Sequence, residues 1–111
     1  MSKLYLAGPM SGVEDFNYPN FMRAEQKWAW KTGKTIVNPC RNFDGDTSLP
    51  YSVYLEEGLK QVMEADGIVL LEGWSRSRGA RAELHVALIL GHDVYYDTYN
   101  SFLEWEELSS E

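Results

Sequence analysis

The sequence predicts an α/β protein, a small doubly wound parallel sheet of four to five strands with helices on both faces. Three observations carry this. Short apolar runs alternate with segments of helical period along the 111 residues. The run "GIVLL" at Gly67–Leu71 is almost continuously apolar, as a strand covered on both faces must be. The connections between runs have crossover length, and crossovers join parallel strands with right-handed handedness.

The first strand is "KLYLAG", Lys3–Gly8, stopped by a Gly-Pro turn. "VEDFNYP" reads as loop. Asn20 can cap a helix from Phe21 to about Lys31, in which Phe21, Ala24, Trp28 and Ala29 keep helical spacing and Gly33 is the stop. "KTIVNP", Lys34–Pro39, is the second strand, and "CRNFDGDTSLPYS" is the longest loop. A helix spans roughly Val53–Ala65, with Leu55, Leu59, Val62 and Met63 on one side. Gly67–Leu71 is the third strand and "GWSRSRG" a loop. Ala80–Leu90 is a helix closed by Gly91, and "HDVYYD" is the fourth strand. The tail 100–111, "NSFLEWEELSSE", reads as a peripheral acidic amphipathic helix on a single domain spanning 1–111. There are no internal repeats and no linker.

Such a sheet, of the Rossmann or flavodoxin kind, binds ligands beyond the carboxyl ends of its strands, where strand order reverses. "GPMSG" after the first strand, "NPCRNF" after the second and "EGWSRSRG" after the third should meet there. Glu83 belongs to this address. One helical turn from it stand Gly79, Ala80, Val86 and Ala87, and Leu90 lies two turns on, all small or apolar. The side chain therefore faces the sheet, near a helix N-terminus whose partial positive charge favours a carboxylate. Two roles fit: a nucleophile or base at the ligand end of the sheet, or a first-turn Glu that serves the helix dipole alone.

Other candidates are weaker in isolation. Gly8, Met10, Ser11 and Gly12 form a turn whose N–H groups could approach a phosphate, although it is neither GxGxxG nor a P-loop. Ser77 and Gly79, at a helix start, give a second anion cue. Tyr5 and Trp74 fall near the expected rim, where an aromatic face could stack on a nucleobase. His85 and His92 sit seven apart with no metal-ligand spacing, and no cofactor is implied.

The formal net charge is −7. That disfavours the phosphate backbone of a nucleic-acid polymer as the main partner, since such binding relies on clustered Lys and Arg. It leaves a small-molecule ligand open. A single cysteine, Cys40, fits a reducing, cytoplasmic location. No apolar run reaches membrane-spanning length, and the N-terminus lacks a signal-peptide pattern. A domain this small with four Trp and seven Tyr cannot easily bury them all, so a homodimer or higher homo-oligomer is expected.

Five stretches in order, "YLAGPMSG", "NYPNF", "VNP", "ADGIVLLEGW" and "SRGARAELHVALILG", resemble the DUF4406 family, common in phages and bacteria. That family is similar to the nucleoside 2-deoxyribosyltransferases and the deoxynucleoside 5′-monophosphate N-glycosidases. The resemblance implies a reaction at the anomeric carbon of a nucleoside or nucleotide, by hydrolysis or by transfer. Glu83 matches the Glu that attacks C1′, in the manner of a retaining glycosidase. Met10, Ser11, Gly12 and Ser77 match positions that hold a 5′-phosphate in the hydrolases. Tyr5 matches the aromatic opening the first motif, and Asp66 an acidic residue near the nucleobase that could share a proton with Glu83. From its position alone, Asp66 fits equally a helix–strand junction residue making local hydrogen bonds.

One position departs from that pattern. The catalytic relatives usually carry an Asp two turns upstream of the Asp66 position, where it handles the proton of the leaving base. Here that position is Gly58. A mid-helix glycine costs about 1 kcal/mol against Ala, which implies close packing, a kink or a ligand that needs the space. Glu56 and Glu57 are no substitutes, since neighbouring helix positions point roughly 100° apart. Loss of an acid costs about 10²–10⁴-fold in rate. Two functional classes follow: an enzyme of the N-glycosidic bond, and a nucleotide or nucleotide-signal binder with weakened catalysis. A third class, a structural or host-interacting protein, has only the net charge and the acidic tail behind it.

Overall fold

A computed structural model describes residues 2–109. Its sheet contains β1 (Lys3–Ala7), β2 (Thr35–Val37), β3 (Gly67–Leu70) and β4 (Asp93–Tyr96), all parallel, in the order β2-β1-β3-β4. Leu4 stands opposite both Ile36 and Gly67, and Ile68 opposite Val94. Four helices accompany the sheet among the described residues: α1 (Tyr18–Thr32), α2 (Tyr51–Glu64), α3 (Arg78–Ile89) and α4 (Tyr99–Ser109). A short 3₁₀ turn lies at Trp74–Arg76, and turns of similar hydrogen bonding, interrupted by non-helical residues, lie at Glu14–Asn17 and Pro39–Gly45.

The two-residue period of the central strands divides the interior into two cores. Tyr5, Ala7, Ile68 and Leu70 face Val62 of α2 and Ala80, Leu84 and Ala87 of α3. Leu4, Leu6, Val69 and Leu71 face Phe21, Ala24 and Trp28 of α1. This is why β3 reads as unbroken hydrophobicity: each of its residues is buried. The chain leaves β1 toward one edge, to β2, and returns through α2 to β3 on the other side. Strand order thus reverses between β1 and β3.

Several boundaries differ from the sequence expectation. Helix α1 starts at Tyr18, not after an Asn20 cap. Pro19 occupies its first turn, where the missing N–H costs nothing, and Asn20 instead accepts hydrogen bonds from Arg23. The α2 helix begins at Tyr51, directly after Pro50. Helix α3 begins at Arg78 because Ser77 caps it, its Oγ accepting from the Ala80 N–H at 3.2 Å. Met63 is 56% exposed while its neighbour Val62 is buried, since adjacent helical side chains diverge.

The acidic tail is more than a peripheral appendage. Glu104 on α4 accepts from the N–H groups of Gly73 (2.8 Å) and Ser75 (3.0 Å), and from Ser75 Oγ. Trp105 and Leu108 pack against the core shared by α2 and α3. On the other side, the Asp97 carboxylate just beyond β4 is buried and accepts from Trp28 Nε1 (2.8 Å), Lys27 Nζ (3.2 Å) and Arg23. Burial alone would raise its pKa, but the three donors outweigh burial and hold it below the usual Asp value. Trp30 is 91% exposed and Tyr99 73% exposed, so this fold does not bury all of its aromatic surface.

Candidate functional site

A cleft of ≈ 460 Å³ opens beyond the carboxyl ends of β1 and β3, at the point of strand reversal. One wall is the turn after β1. The second is the Pro39–Asn42 segment with the start of α2, and the third is the first turns of α3. Helix α3 delivers Glu83 to the floor from its second turn; Ala80 is buried in the core, and Gly79 lies against α2, where a Cβ would stand 2.8 Å from Tyr51 Oη.

Glu83 is 8% exposed. Tyr5 Oη, from β1, donates to Glu83 Oε2 at 2.8 Å. From α2 comes Gly58: a Cβ there would collide with Glu83 Oε2 and stand 2.8 Å from Tyr5 Oη. The unusual mid-helix glycine is therefore explained by close packing, with the carboxyl of Glu83 lying where a side chain at 58 would begin. Burial pushes the Glu83 pKa up to about 8, and the Tyr5 hydrogen bond only partly opposes this. The Tyr5 phenol is driven well above its ordinary value, first by burial and then by the charge of Glu83. Burial thus favours the protonated form of Glu83. Positive charge brought into the cleft would favour its ionised form.

Seven of the sequence candidates meet here: Tyr5, Gly8, Met10, Ser11, Ser77, Gly79 and Glu83 all line the cleft. Two of them differ in detail from expectation. Tyr5 is a buried floor residue and not a rim aromatic, since its ring packs among the core of β1 and α3. Ser77 Oγ is already engaged as the α3 cap. Gly8 is required by packing, as a Cβ there would stand 2.9 Å from Leu71 Cβ.

Three candidates lie elsewhere. Trp74 is 1% exposed and donates its Nε1 to the Ser101 carbonyl at 2.9 Å, so it is a core residue that faces away from the cleft. Asp66 precedes β3 and thus sits at the opposite end of the sheet. Its Oδ2 accepts from the Lys3 N–H at 2.7 Å, tying the start of β3 to the start of β1, a partner 63 positions away rather than the local one expected. Gly12 turns the chain with φ +79° outside the cleft lining.

The aromatic wall was not anticipated. Phe16, Tyr18, Tyr51 and Tyr54 all line the cleft. Phe16 belongs to a run of left-handed non-glycine residues, Asp15, Phe16 and Asn17, and Phe43 and Asp44 form a second such run on the facing loop. Each such residue costs on the order of 1 kcal/mol, and strain of this kind clusters at ligand-binding segments. The loops are braced: Asn17 Nδ2 donates to the Pro9 carbonyl at 2.9 Å, and the amides of Asn42 and Gln61 exchange hydrogen bonds at 2.9 and 2.8 Å. The aromatics among turn formers in "VEDFNYP" and "CRNFDGDTSLPYS" were the available signal.

Among the described residues, no group of His, Cys, Asp or Glu is arranged to hold a metal ion, and no helix is long and apolar enough to cross a membrane. Cys40 is buried beneath the second loop, and burial pushes its thiol up to about 12.

The model of the family described as "Domain of unknown function (DUF4406)" matches residues 2–96. Among solved structures, the fold is similar to that of a 2-desoxiribosyltransferase from Leishmania mexicana. The TM-score is 0.65 at 18% identity, covering 86% of this chain and 63% of that one. The chain thus spans less than two thirds of that protein's length. No curated protein matches the sequence.

Proposed function

The chain belongs to the DUF4406 family, and from that premise and the geometry of the cleft we propose that it acts at the N-glycosidic bond of a nucleoside or its 5′-monophosphate, with Glu83 as the nucleophile. One observation carries the reading. A buried carboxyl, oriented by a tyrosine hydroxyl, lies on the floor of a nucleoside-sized cleft at the switch point of a doubly wound sheet. The likeness in fold to a 2-desoxiribosyltransferase agrees with it.

In this mechanism the nucleobase lies against the aromatic wall and C1′ faces Glu83. The ionised carboxylate displaces the base and forms a glycosyl ester, which water or a second base then opens. Tyr5 positions the attacking carboxylate. The start of α3, with exposed Arg76 and Arg78 beside it, suits a 5′-phosphate.

The test is chromatographic detection of free base from a panel of deoxynucleosides and their 5′-monophosphates. Release that Glu83→Gln abolishes, with the fold intact by circular dichroism, supports the assignment. No release across the panel, nor from a nucleotide whose leaving group is already cationic, removes it. Gly58 favours a second reading, a nucleotide binder without turnover, because it leaves the cleft with one acidic side chain among the described residues. Calorimetry would then show binding without product.

A further inference from the structure

We propose that the substrate is an N-glycoside whose heterocycle is already positively charged, such as an N7-alkylated purine or a pyridinium nucleotide. The inference rests on the reading of Glu83 as a nucleophile at C1′. It goes further by naming the leaving group the cleft can expel.

A glycosidase normally uses two carboxyl groups, one to attack and one to protonate the leaving group. Among the described residues, Glu83 is the only Asp or Glu lining this cleft. Asp66 is at the other end of the sheet, tied to the Lys3 N–H. Position 58, directly above the Glu83 carboxyl, has no room for a side chain, so α2 cannot supply an acid there while Glu83 keeps its place. Three tyrosine hydroxyls of the cleft are committed: Tyr5 to Glu83, Tyr18 to the Gly45 carbonyl at 3.3 Å and Tyr54 to the Asp46 carbonyl. Tyr51 lines the cleft too, but a phenol is a weaker acid than the carboxylic acid that a glycosidase uses for this step.

A neutral purine or pyrimidine would have to depart as an anion from such a site. A cationic heterocycle needs no proton. As Glu83 bonds to C1′, the C1′–N bond breaks and its electron pair neutralises the ring, which departs uncharged. Water then attacks C1′, its proton passes to solvent and the Glu83 carboxylate is regenerated.

The remaining walls suit a flat cation. Phe16, Tyr18, Tyr51 and Tyr54 present aromatic rings to the cleft, and a cation over a ring face is favoured, the more so when desolvated. Such a ligand would also stabilise the ionised form of Glu83 over the neutral form that burial favours. Arg76 and Arg78, exposed at the α3 wall, lie where a 5′-phosphate would balance them.

The 111-residue chain is incubated separately with 7-methyl-2′-deoxyguanosine 5′-monophosphate, nicotinamide mononucleotide and 2′-deoxyguanosine 5′-monophosphate. Free base is measured by chromatography and corrected for spontaneous hydrolysis. The expected result is protein-dependent release from one or both cationic substrates at kcat/KM about 100-fold or more above the neutral one, the scale of a missing general acid. A purine preference or a pyridinium preference identifies which cation is used. Equal or faster release from the neutral nucleotide overturns this inference and leaves the Glu83 assignment standing. No release from any of the three overturns this inference, and failure of the wider neutral panel as well removes the Glu83 assignment. Since every arm uses the unsubstituted protein, no result depends on a variant folding.

Discussion

The hydroxyl of Tyr5 donates a 2.8 Å hydrogen bond to Glu83 Oε2 across 78 positions of sequence, deep between the first strand and the third helix. It is the contact that orients the one buried carboxyl of the cleft. Tyr5→Phe removes the donor and leaves that carboxyl buried without it. Because the hydrogen bond lowers the Glu83 pKa against the effect of burial, its loss moves the Glu83 titration above about 8. Carbon-13 NMR of the Glu83 carboxyl checks this. An unchanged or lower midpoint would show that Tyr5 does not orient the ionised form. The expected stability loss is about 1–3 kcal/mol by urea denaturation.

Gly58→Ala separates helix propensity from packing. In an exposed helix interior, the change would stabilise by roughly 1 kcal/mol. Here the new Cβ meets the Glu83 carboxyl and the Tyr5 hydroxyl, so destabilisation of about 1–3 kcal/mol is expected instead. A rise in Tm would mean that Glu83 swings freely out of the way and that the close approach has no energetic weight. Gly58→Asp should behave the same way more strongly.

Stability should depend on pH in two opposite directions. The folded pKa of Glu83 is raised from 4.5 to about 8, so the unfolded chain loses its proton first. The favourable contribution is complete below pH 4.5 and is lost as pH rises toward 8. Relative to Glu83→Gln, the wild type should therefore weaken across that window, by roughly a few kcal/mol. Tyr5 faces Glu83 from β1 and Gly58 from α2 brings no charge, while Glu57 and Cys40 raise the pKa of Tyr5. Asp97 has the opposite sign. Its pKa is lowered, so its contribution is present at neutral pH and lost as pH falls below the ordinary Asp value of about 3.9. Asp97→Asn should flatten only the acid limb. Urea midpoints measured from pH 3 to 9 on the three proteins decide it, and parallel curves would refute both assignments.

Glu104→Ala tests whether the last helix holds the loop after β3. Its carboxylate accepts from the backbones of Gly73 and Ser75 and from the Ser75 hydroxyl. Their loss should cost about 1–3 kcal/mol. Glu106→Ala, on an exposed position of the same helix, should stay within about 0.5 kcal/mol. Hydrogen exchange at Gly73 and Ser75 should rise in the first variant alone. Equal effects of the two substitutions would mean that the helix contributes only its apolar face.

Much of the fold is legible in the sequence because its signals are local. The apolar run Gly67–Leu71, the glycine stops at Gly33 and Gly91 and the helical period around Glu83 each depend on neighbours within a few residues, and each predicted element is present. That Glu83 faces inward follows from the same local spacing, and it lines the cleft beyond the carboxyl ends of the strands. The sequence resemblance covered the stretches that the family model spans.

What only the tertiary structure decided depends on partners far apart in the chain. Trp74 reads locally as a rim aromatic, but its N–H is taken by the Ser101 carbonyl of the tail and its ring is buried. Asp66 carried a plausible acid role until parallel pairing placed it at the wrong end of β3. Gly58 was an anomaly by helix propensity, and it became intelligible when Glu83 and Tyr5 arrived from α3 and β1 to fill the space above it. Spacing along one element tells which way a side chain points. Whether it meets a partner, a void or water depends on which other elements fold against it, and no local pattern encodes that.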